Sequence, residues 1–131
     1  MSPSRRAGDR LGSLLAVAGG GAAGALARYG VALGLSTPSG TLAANALGSL
    51  LLGAFTADIA ALAAVPERTR LAVGAGFLSS FTTYSAFALE TATAAPELAV
   101  GYALVTYLLG LGAVLVGRFL AVRAWGREGD G

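Results

Sequence analysis

At 131 residues, with 55% hydrophobic and 12% charged side chains and 20 glycines, the chain is long enough for one domain and too apolar for a soluble one. It carries no cysteine, histidine or lysine, which excludes disulfides, thiol redox chemistry, soft-metal sites and the commonest general base, so no enzyme is expected. The net charge of +2 comes from nine arginines against seven acids, and no segment is long enough to gather them on a folded basic face, so nucleic acid is not an expected partner.

Residues 1–10 form a polar tail with Arg5, Arg6 and Arg10, and an apolar run follows over 11–35. That run is about twice as long as the core of a secretion signal and contains Arg28, so it reads as a retained first span. Further runs at 41–65, 71–94 and 98–121 are separated by short connections carrying Pro38, Pro66 and Pro96, and a polar tail at 122–131 is expected to fray. Each run suits a membrane helix of about 17 to 25 residues, and such short connections make successive helices antiparallel. The sequence therefore predicts an all-α integral membrane protein, with a four-helix transmembrane domain over 11–121, embedded in lipid. Arg5, Arg6, Arg10, Arg68, Arg70, Arg123 and Arg127 fall on one side, with Arg118 near the same end, and the opposite connections hold none. Short-loop arginines face the cytoplasm, so both termini are predicted there, in a multi-pass protein of the cell membrane.

Inside the spans, Gly20 and Gly24 have the GxxxG spacing of closely packed helices. Arg28 lies deeper than the helix midpoint, where a guanidinium costs at least about 2.5 kcal/mol unless it snorkels or meets water. It either reaches the outer interface or supplies a vestibule charge that attracts anions. Thr41, Asn45, Ser49 and Gly53 recur every four residues in the second span, and Tyr102, Thr106 and Gly110 do so in the fourth. A helical Thr such as Thr106 can also return its hydroxyl to its own backbone. Asp58 reads as an interfacial acid that pairs with nearby arginines. In the third span, GFLSSFTTYSAF over Gly76–Phe87 interrupts the apolar surface with five hydroxyls and sets rings at Phe81, Tyr84 and Phe87. This stretch is predicted to be a broken helix, because irregular backbone at membrane depth survives only where it is buried in protein or lines a cavity. The polar members donate hydrogen bonds and carry no acid, and an aromatic edge is the positive part of its quadrupole. Such a lining suits an anion that must be held loosely enough to leave.

These residues carry a resemblance. Gly24-Ala25-Leu26-Ala27-Arg28-Tyr29 is similar to a GAxxRY motif, Gly40–Gly48 to GTLxxNxxG, and Gly76–Glu90 to GFxGGxTTFSTFxxE, in the order found in the Fluc (CrcB) family of fluoride channels. The resemblance covers all four spans. It implies a dimer of two oppositely oriented four-helix subunits that passively exports fluoride and lowers its cytoplasmic concentration. Carried over by position, Asn45, Tyr84, Ser85, Phe87, Tyr102 and Thr106 would line the fluoride pathway, with Arg28 at its mouth. Backbone carbonyls of Ser79 and Thr82 would bind a structural sodium ion. The chain departs from the pattern at Ser79 and Ser80, where the family has glycines, at Tyr84 for phenylalanine, at Ala86 for threonine and at Gly110 for a polar residue. The paired serines reduce backbone freedom at the expected break. Glu90 matches the motif's acid, and a pair with Arg28 at the outer end is expected.

The one-sided arginines fix a single orientation, whereas an antiparallel dimer needs both. The expected partner is therefore either an oppositely oriented paralogous chain or a second copy that inserts despite the bias. Two other functions share this architecture. A small dual-topology drug exporter would need a central intramembrane carboxylate, while Asp58 and Glu90 lie toward helix ends. A noncatalytic membrane assembly subunit would use the polar tracks only to join helices.

Overall fold

The computed structural model describes residues 3–126, and among them there is no strand. Helix α1 spans Pro3–Gly34 and α2 spans Ser39–Phe55, followed by the short α3 at Ile59–Ala64. Helix α4 (Glu67–Arg70) opens directly after Pro66 and runs into eight residues wound as a π-helix, Leu71–Leu78, and a last turn α5 at Ser79–Phe81. Thr82 and Thr83 are extended (φ −78°, ψ 156° and φ −145°, ψ 116°), and the chain turns helical again in α6, Tyr84–Thr93. Helix α7 starts on Pro96, a residue suited to a first helical position because its missing N–H is not needed there, and runs to Gly126.

The helices pack as two intimate pairs. Helix α1 lies along the π-helical segment and α5, while α2 lies along α7, and α6 also packs on α7. Glycine makes both contacts possible. A Cβ on Gly24 would collide with the Phe77 carbonyl, and one on Gly20 with that of Ala72, so the GxxxG pair brings α1 into backbone contact with the third span. Between α2 and α7 the arrangement is reciprocal, Gly53 against the Val114 carbonyl and Gly117 against that of Leu50. Backbone approach of this kind maximises dispersion contacts where lipid removes the hydrophobic drive between helices.

The outside is apolar. Leu14, Leu26, Leu33, Leu98, Leu108 and Leu111 are all exposed, whereas the buried set is small and centres on Ala44, Leu78, Phe81 and Phe87. Contiguous apolar surface on this scale belongs in lipid or against another subunit. Two helices, Gly8–Gly34 and Pro96–Ala124, are long and apolar enough to cross a bilayer, and α2 is a shorter apolar helix.

Several boundaries differ from those expected. The amino-terminal tail is helical from Pro3, and the carboxyl-terminal residues Val122–Gly126 continue α7 instead of fraying; Arg127 lies outside the described residues. The run at 41–65 is not one helix, because α2 stops at Phe55. There both the amide and the hydroxyl of Thr56 donate to the Leu52 carbonyl, at 3.0 and 2.8 Å, and Asp58 occupies the position before α3, a favoured place for Asp.

Substitution at the contact glycines tests this packing. Gly24→Ala is expected to cost about 1–3 kcal/mol by overpacking against a backbone carbonyl. Gly19→Ala, where an added Cβ meets nothing within 4 Å, should be neutral or slightly stabilising. Thermal unfolding of the two variants in detergent separates these outcomes.

Candidate functional site

The site is built on the two extended residues. A helix carried on through Thr82 and Thr83 would return each amide to the carbonyl four residues back. Thr82 still does so, its amide and hydroxyl both donating to the Leu78 carbonyl at 3.1 and 3.0 Å. Thr83 does not. Its amide donates to Asn45 Oδ1 at 2.8 Å, and Asn45 Nδ2 donates back to the Thr83 carbonyl at 3.1 Å. One side chain on α2 thus satisfies both backbone groups of a residue that has left the helix. The Thr83 hydroxyl then accepts from the Ala86 amide at 3.2 Å and caps α6. Carbonyls along this turn lose their helical donors as a result, those of Ser79 and Thr82 among them. The Thr83 amide that would serve Ser79 goes to Asn45, and the Ala86 amide that would serve Thr82 goes to the Thr83 hydroxyl.

Ser79 and Ser80 fit without strain. Ser79 is right-handed helical (φ −64°, ψ −35°), and no described non-glycine residue has a positive φ, so the turn does not use the freedom that glycines would give. The side chain of Ser80 is received by α1, where the missing Cβ of Gly21 leaves room for its hydroxyl.

A groove of about 660 Å³ opens beside this turn, between α2, the third span and α7. Of the residues expected to line the pathway or bind sodium, Asn45, Ser79, Thr82, Tyr84, Phe87 and Thr106 line it, and no carboxylate or cationic side chain is among its lining residues. Phe87 is buried, at 7% exposure, amid three tyrosines: Tyr84, Tyr102 and Tyr107 have ring centroids 5.8, 5.6 and 5.7 Å away, and Tyr107 meets it edge to face at 78°. Tyr84 itself is 73% exposed into the open side. The hydroxyl of Thr106 does not return to its own helix. It is buried and lies beside the Tyr102 hydroxyl.

Three of the expected residues lie elsewhere. Ser85 is exposed, with its hydroxyl 3.3 Å from that of Thr83. Tyr102 lines a second hollow of about 560 Å³ and donates to Glu90 Oε2 at 2.6 Å, while Thr41 donates to Glu90 Oε1 at 2.7 Å. Glu90 is therefore a knot joining α2, α6 and α7. The Arg28–Glu90 pair is not formed, because both carboxylate oxygens are taken by hydroxyls and Arg28 Nε donates to the Ser80 carbonyl at 3.1 Å. Tyr107 is the groove residue that sequence reasoning missed. It stands next to Thr106, off the four-residue stripe that singles out Tyr102, Thr106 and Gly110, and only its contact with Phe87 reveals it.

Comparison with known proteins adds an independent finding. The family model described as "CrcB-like protein, Camphor Resistance (CrcB)" matches residues 15–118. The chain is 55% identical over 104 residues to "Fluoride-specific ion channel FluC 1" of Natronomonas pharaonis, covering 78% of this chain and 87% of that one. It is 50% identical over 111 residues to "Fluoride-specific ion channel FluC 2" of Halobacterium salinarum (84% and 87% covered). With "Fluoride-specific ion channel FluC" of Phenylobacterium zucineum it shares 41% over 124 residues (86% and 98%).

The Asn45 clamp can be tested directly. Asn45→Leu leaves the Thr83 amide and carbonyl unpaired and is expected to destabilise the protein by about 1–3 kcal/mol for each group. Hydrogen exchange at the Thr83 amide should accelerate strongly, whereas exchange in the middle of α7 should change only with global stability.

Proposed function

This chain belongs to the CrcB-like family, and on that membership we propose that it is a fluoride-specific ion channel that lets accumulated fluoride leave the cytoplasm down its gradient. The observation that carries this at the level of the site is the groove itself, lined by hydroxyls, the Asn45 amide and aromatic rings with no carboxylate. An anion entering there gives up hydration. The replacements are hydroxyls at Tyr84 and Thr106, the remaining Nδ2 hydrogen of Asn45 and the positive edges of Phe87 and its neighbours. None of these is a full charge, so the ion is stabilised without being trapped. A drug exporter lacks support here, since no carboxylate lines the groove to carry a proton.

The chain spans the membrane four times in this reading, through α1, α2, the interrupted third span and α7. At 17 residues α2 rises about 25 Å, near the lower limit for a span. The groove is open on one side, and a second four-helix subunit in the opposite orientation closes it. The arginine asymmetry favours a paralogous chain as that subunit, with both termini of this one in the cytoplasm. Of the arginines that set this, all but Arg127 lie within the described helices or the turn of α4.

A sodium ion at the subunit interface completes the reading. The fit rests on the carbonyls of Ser79 and Thr82, which lose their helical donors where the chain turns extended; both residues line the groove. Neutral carbonyl oxygens suit a hard monovalent cation, which would supply fixed charge and cross-link the two third spans. Asn45 and the Thr83 cap hold these carbonyls out of the helix ladder.

Liposomes loaded with fluoride test the assignment. The reconstituted chain, alone or with its paralogue, should release fluoride far faster than chloride, and absence of fluoride release in both preparations with sodium present would refute the channel. Phe87→Ile should reduce the flux by about twofold to tenfold, the scale of one lost aromatic contact. Tyr84→Phe removes one donor and should change the rate without abolishing selectivity. A reporter fused to the carboxyl terminus should signal from the cytoplasmic face alone; equal signal from both faces would remove the fixed-orientation claim.

A further inference from the structure

The helix stripe that carries Gly20 and Gly24 reaches Arg28 one turn later. The two glycines bring α1 against the carbonyls of Ala72 and Phe77, and Arg28, next on the same stripe, donates from Nε to the Ser80 carbonyl at 3.1 Å. Ser80 sits between Ser79 and Thr82, and its carbonyl too has lost its helical donor. In an uninterrupted helix its carbonyl would take the Tyr84 amide, which the extended pair carries away.

We propose that Arg28 is a positioning residue for the cation site: by supplying the donor that the interrupted helix withdraws from Ser80, it fixes this turn so that the Ser79 and Thr82 carbonyls are the ones presented to the ion. The inference rests on the sodium reading above. The arrangement divides the labour at the end of the half-helix. Thr82 serves the Leu78 carbonyl with both its amide and its hydroxyl, Arg28 serves that of Ser80, and those of Ser79 and Thr82 are among the carbonyls left for the ion. On charge alone a guanidinium beside a cation site is unfavourable, so its placement here is explained by the planar, directional N–H and by the glycine contacts that carry it to the carbonyl.

The sign of that electrostatic effect makes the proposal testable. The assembled channel in detergent is melted across a sodium titration, with sodium replaced by N-methylglucamine at constant ionic strength, and the sodium midpoint of stabilisation is read. If Arg28 positions the carbonyls, Arg28→Met raises the midpoint about tenfold or more, the scale of one hydrogen bond to a charged group. If it acts only as a nearby positive charge, removing it lowers the midpoint, and an unchanged or lowered midpoint overturns the proposal. Arg28→Lys keeps the charge, loses the planar donor and is expected to raise the midpoint as well; it is read in the same way should the Met variant not be recovered. Fluoride release by the wild type is recorded from the same preparation. A conducting wild type whose stability ignores sodium removes the cation site and this proposal with it, while leaving the channel assignment standing.

Discussion

The double hydrogen bond between Asn45 and the backbone of Thr83 is the contact on which the rest of the site depends. Extended backbone within a membrane helix exposes an amide and a carbonyl that hydrocarbon cannot satisfy, at several kcal/mol each. A carboxamide is the side chain that offers a donor and an acceptor side by side without a charge. With the amide of Thr83 drawn to α2, the Ser79 carbonyl is freed, α6 starts afresh on the Thr83 hydroxyl, and Tyr84 and Phe87 are turned toward the groove. Polar track, ring cluster and free carbonyls are thus consequences of one side chain reaching across from a neighbouring helix.

That reach requires the helices to be close and fixed. Gly53 and Gly117 hold α2 against α7, and Gly20 and Gly24 hold α1 against the π-wound stretch, so each helix near the extended pair is located by backbone contact. The π-winding of Leu71–Leu78 ends where the extended pair begins, within one turn. Segments of that kind occur often at functional sites, where a locally widened helix re-aims the groups that follow. Glu90 supplies the third tie. Its two oxygens accept from Thr41 on α2 and Tyr102 on α7, anchoring the far end of α6.

Much of this was legible in the sequence for physical reasons. Hydroxyls and rings crowded into Gly76–Phe87 contradict an apolar span and mark the stretch that contains the extended pair, and the GxxxG spacing of Gly20 and Gly24 reports a contact that only glycine permits. What could not be read depends on which atom reaches which. Charge pairing suggested Arg28 with Glu90, but the structure satisfies the carboxylate with two hydroxyls and sends the guanidinium to a main-chain carbonyl, an acceptor that no sequence pattern displays. The four-residue spacing found Thr106 yet passed over Tyr107, because the edge contact with Phe87 arises from how α6 crosses α7. Replacement of the family's paired glycines looked costly from sequence. The backbone at Ser79 is ordinary helix and Gly21 makes room for Ser80, so the cost is absent.

That the Asn45–Thr83 clamp sustains the fluoride pathway is tested by measuring both quantities on one set of proteins. Thr83 amide protection and fluoride release are recorded for the wild type, Asn45→Asp, Asn45→Ser and Asn45→Leu. The two should fall together, with Asp intermediate because it still accepts from the Thr83 amide but repels the carbonyl. Fluoride release that persists after protection of Thr83 is lost, or vanishes while that protection stays intact, would contradict it.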